Sequence, residues 1–93
     1  MAADQDEPCW LCGRPLGQRV EYHHKVPKSR GGRETVAIHS ICHRTLHRTF
    51  TNAELGIFDG SVAMIRADPR IDRFLAWIAN KDPDFHAPTH RPG

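Results

Sequence analysis

Two short pairs of metal-type residues constrain this chain more than anything else in it: Cys9-Trp-Leu-Cys12 and His39-Ser-Ile-Cys42. Each pair sets its ligands two residues apart, a spacing at which a tight turn aims both side chains at one point. Cys9, Cys12, His39 and Cys42 together make the Cys3His set of a closed structural zinc site, which would pin the base of the segment between them. The alternatives are His39 facing solvent, with three cysteines completed by water or another histidine, or simply free, partly buried thiols. A redox role for the Cys-x-x-Cys lacks the βαβ pattern that accompanies it.

A metal is also what the composition asks for. A chain of 93 residues is one domain. At that size about 60% of the unfolded surface is buried, a marginal core. With 39% apolar and 8% aromatic residues, and a mean hydropathy of −0.57, a second source of stability is expected. The apolar runs are a few residues long, so no transmembrane span is expected. Met1 to Pro8 is acidic and polar, unlike a secretory signal. An odd cysteine count without such a signal fits a reducing cytoplasm rather than a disulfide framework.

The net charge of +2 conceals an asymmetry. Residues 1–13 are net −3, residues 14–48 net +6 and residues 49–93 net −1. The basic block also holds five of the seven histidines, which points to a polyanionic partner such as nucleic acid.

Residues 1–8 are expected to be a disordered acidic tail. Gln18 to Tyr22 is a short strand leading into His23, and Pro27 to Arg33, with Gly31-Gly32, is a loop. Thr35 to Ile38 is β-branched enough for a second strand or extended turn. From Cys42 the spacing of His43, Leu46, His47 and Phe50 is helical. Thr51-Asn-Ala-Glu54 is a capping box, Asp59 or Ser61 caps a helix through Val62 and Ile65, and Asp68-Pro69 starts a last helix. That helix presents Ile71, Phe74, Leu75 and Ile78 to the core, with Trp77 beside them, and ends at Pro83. Residues 86–93 are expected to be a flexible tail.

The second histidine cluster carries the chemistry. His23 and His24 stand at the end of the first strand, and His43 and His47 lie four apart on one helix face, a chelating pair. His23 directed the same way would complete a three-imidazole site with open positions. His24 alternates to the other side unless the strand end twists. An unligated histidine near a metal is what a general base requires. His47 joining the structural site is the competing assignment.

The order Cys9-x2-Cys12, His23-His24-Lys-Val-Pro27, Gly31-Gly32, His39-x2-Cys42-His43-x3-His47 resembles the HNH (His-Asn-His) endonucleases. The resemblance covers residues 9 to about 50. It implies an α+β fold, a small ββα-metal domain with a zinc knuckle. Residues 9–50 would form the nuclease core, and residues 51–85 additional C-terminal helices packing on it. It makes His23, His43 and His47 the ligands of one catalytic divalent metal and His24 the general base, in the manner of the colicin-type nucleases. Cys9, Cys12, Cys42 and, by position, His39 correspond to the family's paired knuckles and hold a structural Zn²⁺. Two departures stand out. His39 occupies a position where cysteine is usual, and the Glu34-Thr35-Val36 region lacks the family's middle asparagine, whose loop-holding role falls to the Thr35 hydroxyl or to other contacts.

The resemblance implies hydrolysis of DNA, giving 5′-phosphate and 3′-hydroxyl ends, on double-stranded substrate with weak sequence preference. Three imidazoles favour Zn²⁺, Ni²⁺, Co²⁺ or Mn²⁺ over Mg²⁺. Lys25, Lys28, Arg30 and Arg33 in the loop, with Arg44 and Arg48 each one residue past a helix ligand, are the expected phosphate contacts. The contrasting expectation is a zinc module that holds nucleic acid without cutting it.

Overall fold

The computed structural model describes residues 6–85. Strand β1 spans Val20–His24 and strand β2 spans Thr35–His39, two mixed, partly β-branched runs joined by a Pro- and Gly-bearing loop. They pair antiparallel, with Glu21 opposite Ile38 and His23 opposite Val36. Directly opposed residues share a sheet face, so Glu21, His23, Val36 and Ile38 lie on one side. The expected first strand, Gln18 to Tyr22, is displaced by two residues and contains both His23 and His24.

The connecting loop has a fixed shape. Pro27 leads one 3-10 turn over Lys28–Arg30, and Gly31 reverses the chain at φ 84°. A Cβ on Gly32 would collide with the Val26 carbonyl oxygen, so that position demands glycine. Backbone bonds from Lys25 N to Glu34 O (3.2 Å) and from Gly32 N to Pro27 O (3.2 Å) close the loop.

Helix α1 covers Ser40–Thr49 and begins two residues earlier than the histidine spacing indicates. The early start has a tertiary cause: Ser40 N donates to Arg19 O ahead of β1 (3.2 Å), which bends the chain directly from β2 into the helix. Helix α2, Asn52–Phe58, carries the expected capping box. Thr51 N donates to Glu54 Oε1 (2.9 Å), and Glu54 N donates to Thr51 Oγ1 (3.1 Å). Helix α3, Val62–Arg66, is capped by Ser61 rather than Asp59, which instead ends α2 in the left-handed region. Helix α4, Pro69–Ile78, starts as the Asp68-Pro69 pair indicates, with Arg70 N donating to Asp68 Oδ1 (2.8 Å). It stops at Ile78, before Pro83, where Lys81 N turns back to Ile78 O (3.0 Å).

One apolar cluster joins every part: Leu11 and Leu16 from the knuckle, Ile38 from β2, Leu46 from α1, and Leu55, Ile65, Ile71 and Ile78 from the later helices. Of the four-residue stripe expected on α4, Ile71 and Ile78 are fully buried, while Phe74 and Leu75 are half-buried. Polar ties reinforce the packing. Arg66 donates to the carbonyls of Leu11 (2.9 Å) and Trp10 (3.1 Å), and Arg14 donates to those of Lys81 (2.8 Å) and Asp82 (2.7 Å).

The acidic tail expected over residues 1–8 is shorter than that. Glu7 O accepts from Leu16 N (2.9 Å) and Pro8 bridges Pro15, so these two residues belong to the folded knuckle. Residues 1–5 and the tail expected over 86–93 lie outside the described residues.

Two candidate metal centres

The first centre is sulfur-rich. Cys9 N donates to Arg14 O (2.8 Å) and Gly13 N to Cys9 O (2.9 Å), which close the turn that aims both thiols inward. Gly13 takes the positive φ this turn needs. Cys42 comes from the first turn of α1, and His39 from the end of β2. The four ligand atoms of Cys9, Cys12, His39 and Cys42 lie within 4.8 Å of one another. His39 Nδ1 is 3.3 Å from Cys12 Sγ and 3.8 Å from Cys42 Sγ. Tetrahedral zinc, with Zn–S about 2.3 Å and Zn–N about 2.0–2.1 Å, sets sulfur and nitrogen about 3.6 Å apart. The donor set therefore fits zinc in both chemistry and spacing.

His39 is inside the cluster rather than in solvent. It is buried, and its Nε2 lies 2.9 Å from Pro15 O. A carbonyl only accepts, so Nε2 carries a proton, and Nδ1 is the ring atom that faces the sulfurs and would bind an ion held among them. In the ion-free state the cluster is electrostatically crowded. Hydrogen bonds with Cys12 and Cys42 pull the Cys9 thiol far below its usual range, and those with Cys12 and Cys9 push the Cys42 thiol far above it. Burial depresses His39, but hydrogen bonds with Cys12 and Cys9 outweigh it and raise it to about 10. A divalent cation would replace that imidazole proton as the counter-charge to the thiolates.

The second centre is all nitrogen. β1 supplies His23, and α1 supplies His43 and His47, one helical turn apart. Their ligand atoms also fall within 4.8 Å of one another. His43 Nε2 and His47 Nε2 are 3.1 Å apart, close to the roughly 3.3 Å between two nitrogens on one tetrahedral ion. His23 is 1% exposed, and its Nε2 is buried without a hydrogen-bond partner. Such an orphan is costly unless a ligand completes it. Burial, with the neighbouring His43, His47 and His24, lowers His23 to about 4, and burial with His43 lowers His47. Both effects favour neutral imidazoles, the form that binds metal.

His24, the last residue of β1, does not turn its back on this cluster. It lines the same cleft of about 350 Å³ as His23, His43 and His47, together with Lys28, Ser29 and Asn52. Of the six basic residues expected at phosphates, Lys28 is the one at this cleft. Lys25 is ion-paired with Glu34 (3.0 Å) and shares a neighbouring cavity with Arg33. Arg30 lies against Gly56 of α2, and Arg48 lines a shallow depression with Thr45, Thr49 and Arg70. Arg44 is exposed on α1, near enough to Glu21 for its charge to act there.

Three further residues at the centre are not evident from the metal-ligand spacing. Glu21 Oε1 lies 2.8 Å from His43 Nδ1. The Trp10 ring, inside the Cys9–Cys12 turn, sits 5.5 Å from that of His23. Asn52, the first residue of α2, lines the cleft. A sequence signal existed for Glu21 alone: it precedes His23 by two residues, and strand alternation puts both on one face.

Comparison with known proteins agrees with this arrangement. The HNH endonuclease family model matches residues 9–49, a span that runs from Cys9 to the end of α1 and contains all seven candidate ligands. The chain is also 38% identical over 78 residues to YisB, an uncharacterized protein of Bacillus subtilis (strain 168), covering 82% of this chain and 77% of that one. No solved structure matches it significantly. The chain belongs to the HNH endonuclease family, a family of nucleases whose domains commonly bind nucleic acid. Among the described residues no helix is long and apolar enough to cross a membrane.

Proposed function

We propose that this protein is a metal-dependent endonuclease that hydrolyses DNA phosphodiester bonds by a one-metal mechanism with a histidine general base. The observation that carries the reading is buried His23, with a partnerless Nε2 and a ligand atom within 4.8 Å of those of His43 and His47, in the cleft that His24 and Lys28 also line. Residues 9–50 are the nuclease core, with a structural zinc on Cys9, Cys12, His39 and Cys42, and residues 51–85 are helices that pack on it. Free thiols in a zinc knuckle suit a reducing, cytoplasmic setting.

His23, His43 and His47 would hold the catalytic ion. Imidazole ligands suit Zn²⁺, Ni²⁺, Co²⁺ or Mn²⁺ better than Mg²⁺. Bound there, such an ion supplies Lewis-acid stabilisation of the phosphate and of the leaving oxygen. His24, outside the ligand set but in the same cleft, takes the proton from the attacking water. Lys28 holds the phosphate at the cleft mouth. Contacts of this kind position a duplex without reading its bases, so sequence preference is weak.

The test is a plasmid-nicking assay over a panel of divalent ions, paired with calorimetric metal titration. His24→Ala should cut about 10²–10⁴-fold more slowly, the range for a lost positioned base, while binding the ion as wild type does. His23→Ala should lose the ion. If neither variant changes the cutting rate, the imidazole cluster is not the catalytic site; if no ion supports cutting by the wild type, the protein is a zinc-dependent nucleic-acid-binding module and the nuclease assignment fails.

A further inference from the structure

The strand that supplies His23 also brings a carboxylate to the far side of His43. Glu21 and His23 alternate onto the same face of β1, so one strand reaches the cluster twice. Glu21 Oε1 lies 2.8 Å from His43 Nδ1, while His43 Nε2 lies 3.1 Å from His47 Nε2. The imidazole is thus held at both nitrogens, with the carboxylate behind and the ligand cluster in front. The His43 contact, with Ser40 and Arg44 nearby, favours the charged form of the Glu21 carboxyl, and Ser40 is buried at the first position of α1. The Glu21–His43 contact therefore spans from β1 to the helix carrying two of the three imidazoles.

We infer that Glu21 is a positioning residue that fixes His43 as the Nδ1–H tautomer, with its Nε2 lone pair directed into the metal site. This rests on the proposed function, which makes His43 a metal ligand. The reason is a matter of donors and acceptors. A carboxylate can only accept, so the proton of a neutral His43 must sit on Nδ1. Without Glu21 that proton can occupy Nε2, where it blocks the lone pair, and the ring can turn about its own bonds. Carboxylate–histidine–metal arrangements of this type raise ligand basicity and hold the ring plane. An ordinary exposed ion pair would have no effect on the opposite nitrogen, and that difference makes the inference testable.

The experiment uses the full chain with its knuckle loaded with zinc. Ni²⁺ is titrated calorimetrically into wild type, Glu21→Ala, Glu21→Gln and His43→Ala, and the His43 ring nitrogens are followed by ¹⁵N NMR in the ion-free second site. Glu21→Ala should bind Ni²⁺ about 10–100-fold more weakly, the usual loss for a partner behind a ligand. Its His43 signals should shift from the Nδ1–H form toward a mixture of tautomers. Glu21→Gln, whose amide oxygen still accepts, should restore the Nδ1–H form and recover part of the affinity. The melting temperature of Glu21→Gln serves as the folding control. If Glu21→Ala keeps both the wild-type affinity and the wild-type tautomer while His43→Ala loses Ni²⁺, this inference is overturned and the metal site stands. If His43→Ala also binds Ni²⁺ like wild type, the metal site itself is wrong and the role of Glu21 falls with it.

Discussion

The two histidine-bearing clusters share helix α1, where Cys42 and His43 are neighbours, yet they are built in opposite ways. In the knuckle Cys9, His39 and Cys42 are buried and Cys12 is half-buried. In the imidazole cluster burial falls from His23, through half-buried His43, to exposed His47. Four donors including three sulfurs make a closed zinc site, whereas three nitrogens with a cleft beside them leave positions open for water and substrate. The same helix thus contributes to a closed, sulfur-rich cluster and to a more open imidazole cluster. Trp10 joins them physically: it lies within the Cys9–Cys12 turn and packs its ring 5.5 Å from His23. This contact predicts that loss of the closed site disturbs the open one.

The largest expected effect breaks the closed side. Zinc affinity in small knuckles is about 10–16 kcal/mol, comparable with or above the stability of a whole small domain. Cys12→Ser should therefore lose its tight zinc, its cooperative melting transition and, through Trp10, the imidazole cluster as well. Circular dichroism melting with elemental zinc analysis reads all of this. A variant with the wild-type melting curve would show that the two regions are not related as support and site.

A smaller effect sharpens the open side. Lys28→Ala, Arg30→Ala and Arg33→Ala together should weaken DNA binding and flatten the slope of log affinity against log salt by about 0.9 for each lost phosphate contact. Lys28 lines the imidazole cleft while Arg30 rests on Gly56, so Lys28→Ala should account for the larger share. Fluorescence anisotropy at several salt concentrations measures the slope, and an unchanged slope removes the loop from the interface.

The smallest effect lies outside both clusters and serves as their control. Asp68→Ala removes the α4 cap and should cost about 1 kcal/mol, with no change in metal content. Hydrogen bonds from Arg70 hold the Asp68 carboxyl down at about 2, below its ordinary 3.8. Its contribution is therefore full above the ordinary value and is lost as pH falls through about 2. Asp68→Asn keeps the cap and should melt close to wild type at neutral pH. Chemical denaturation of the three proteins decides the ranking.

What the sequence made legible was local. Cys-x2-Cys, His-x2-Cys and His-x3-His state their geometry within one turn of chain, and Thr51 with Glu54 or Asp68 with Pro69 announce a helix start within a few residues. What it concealed depends on distant partners. Ser40 and Ile41 carry no helical signal, and α1 begins there because Arg19, before β1, accepts from Ser40 N. Lys25 reads as a phosphate contact until Glu34 is found beside it across the loop. Glu21 reads as a charge on a short strand, since the imidazole it holds is contributed by a helix beyond β2. Phe74 and Leu75 fit the apolar period of α4 but reach the rim of the core rather than its centre.

The central claim, two metal centres of different kind in one small domain, is tested most directly by counting ions. Wild type and His47→Ala are saturated with Zn²⁺, dialysed against a mild chelator, and assayed for zinc by elemental analysis before and after. The two clusters predict two zinc ions per saturated wild-type chain, one of them removed by the chelator, and a single chelator-resistant ion in His47→Ala with an intact fold. One ion per wild-type chain, or loss of the tightly held zinc in His47→Ala, would contradict the account.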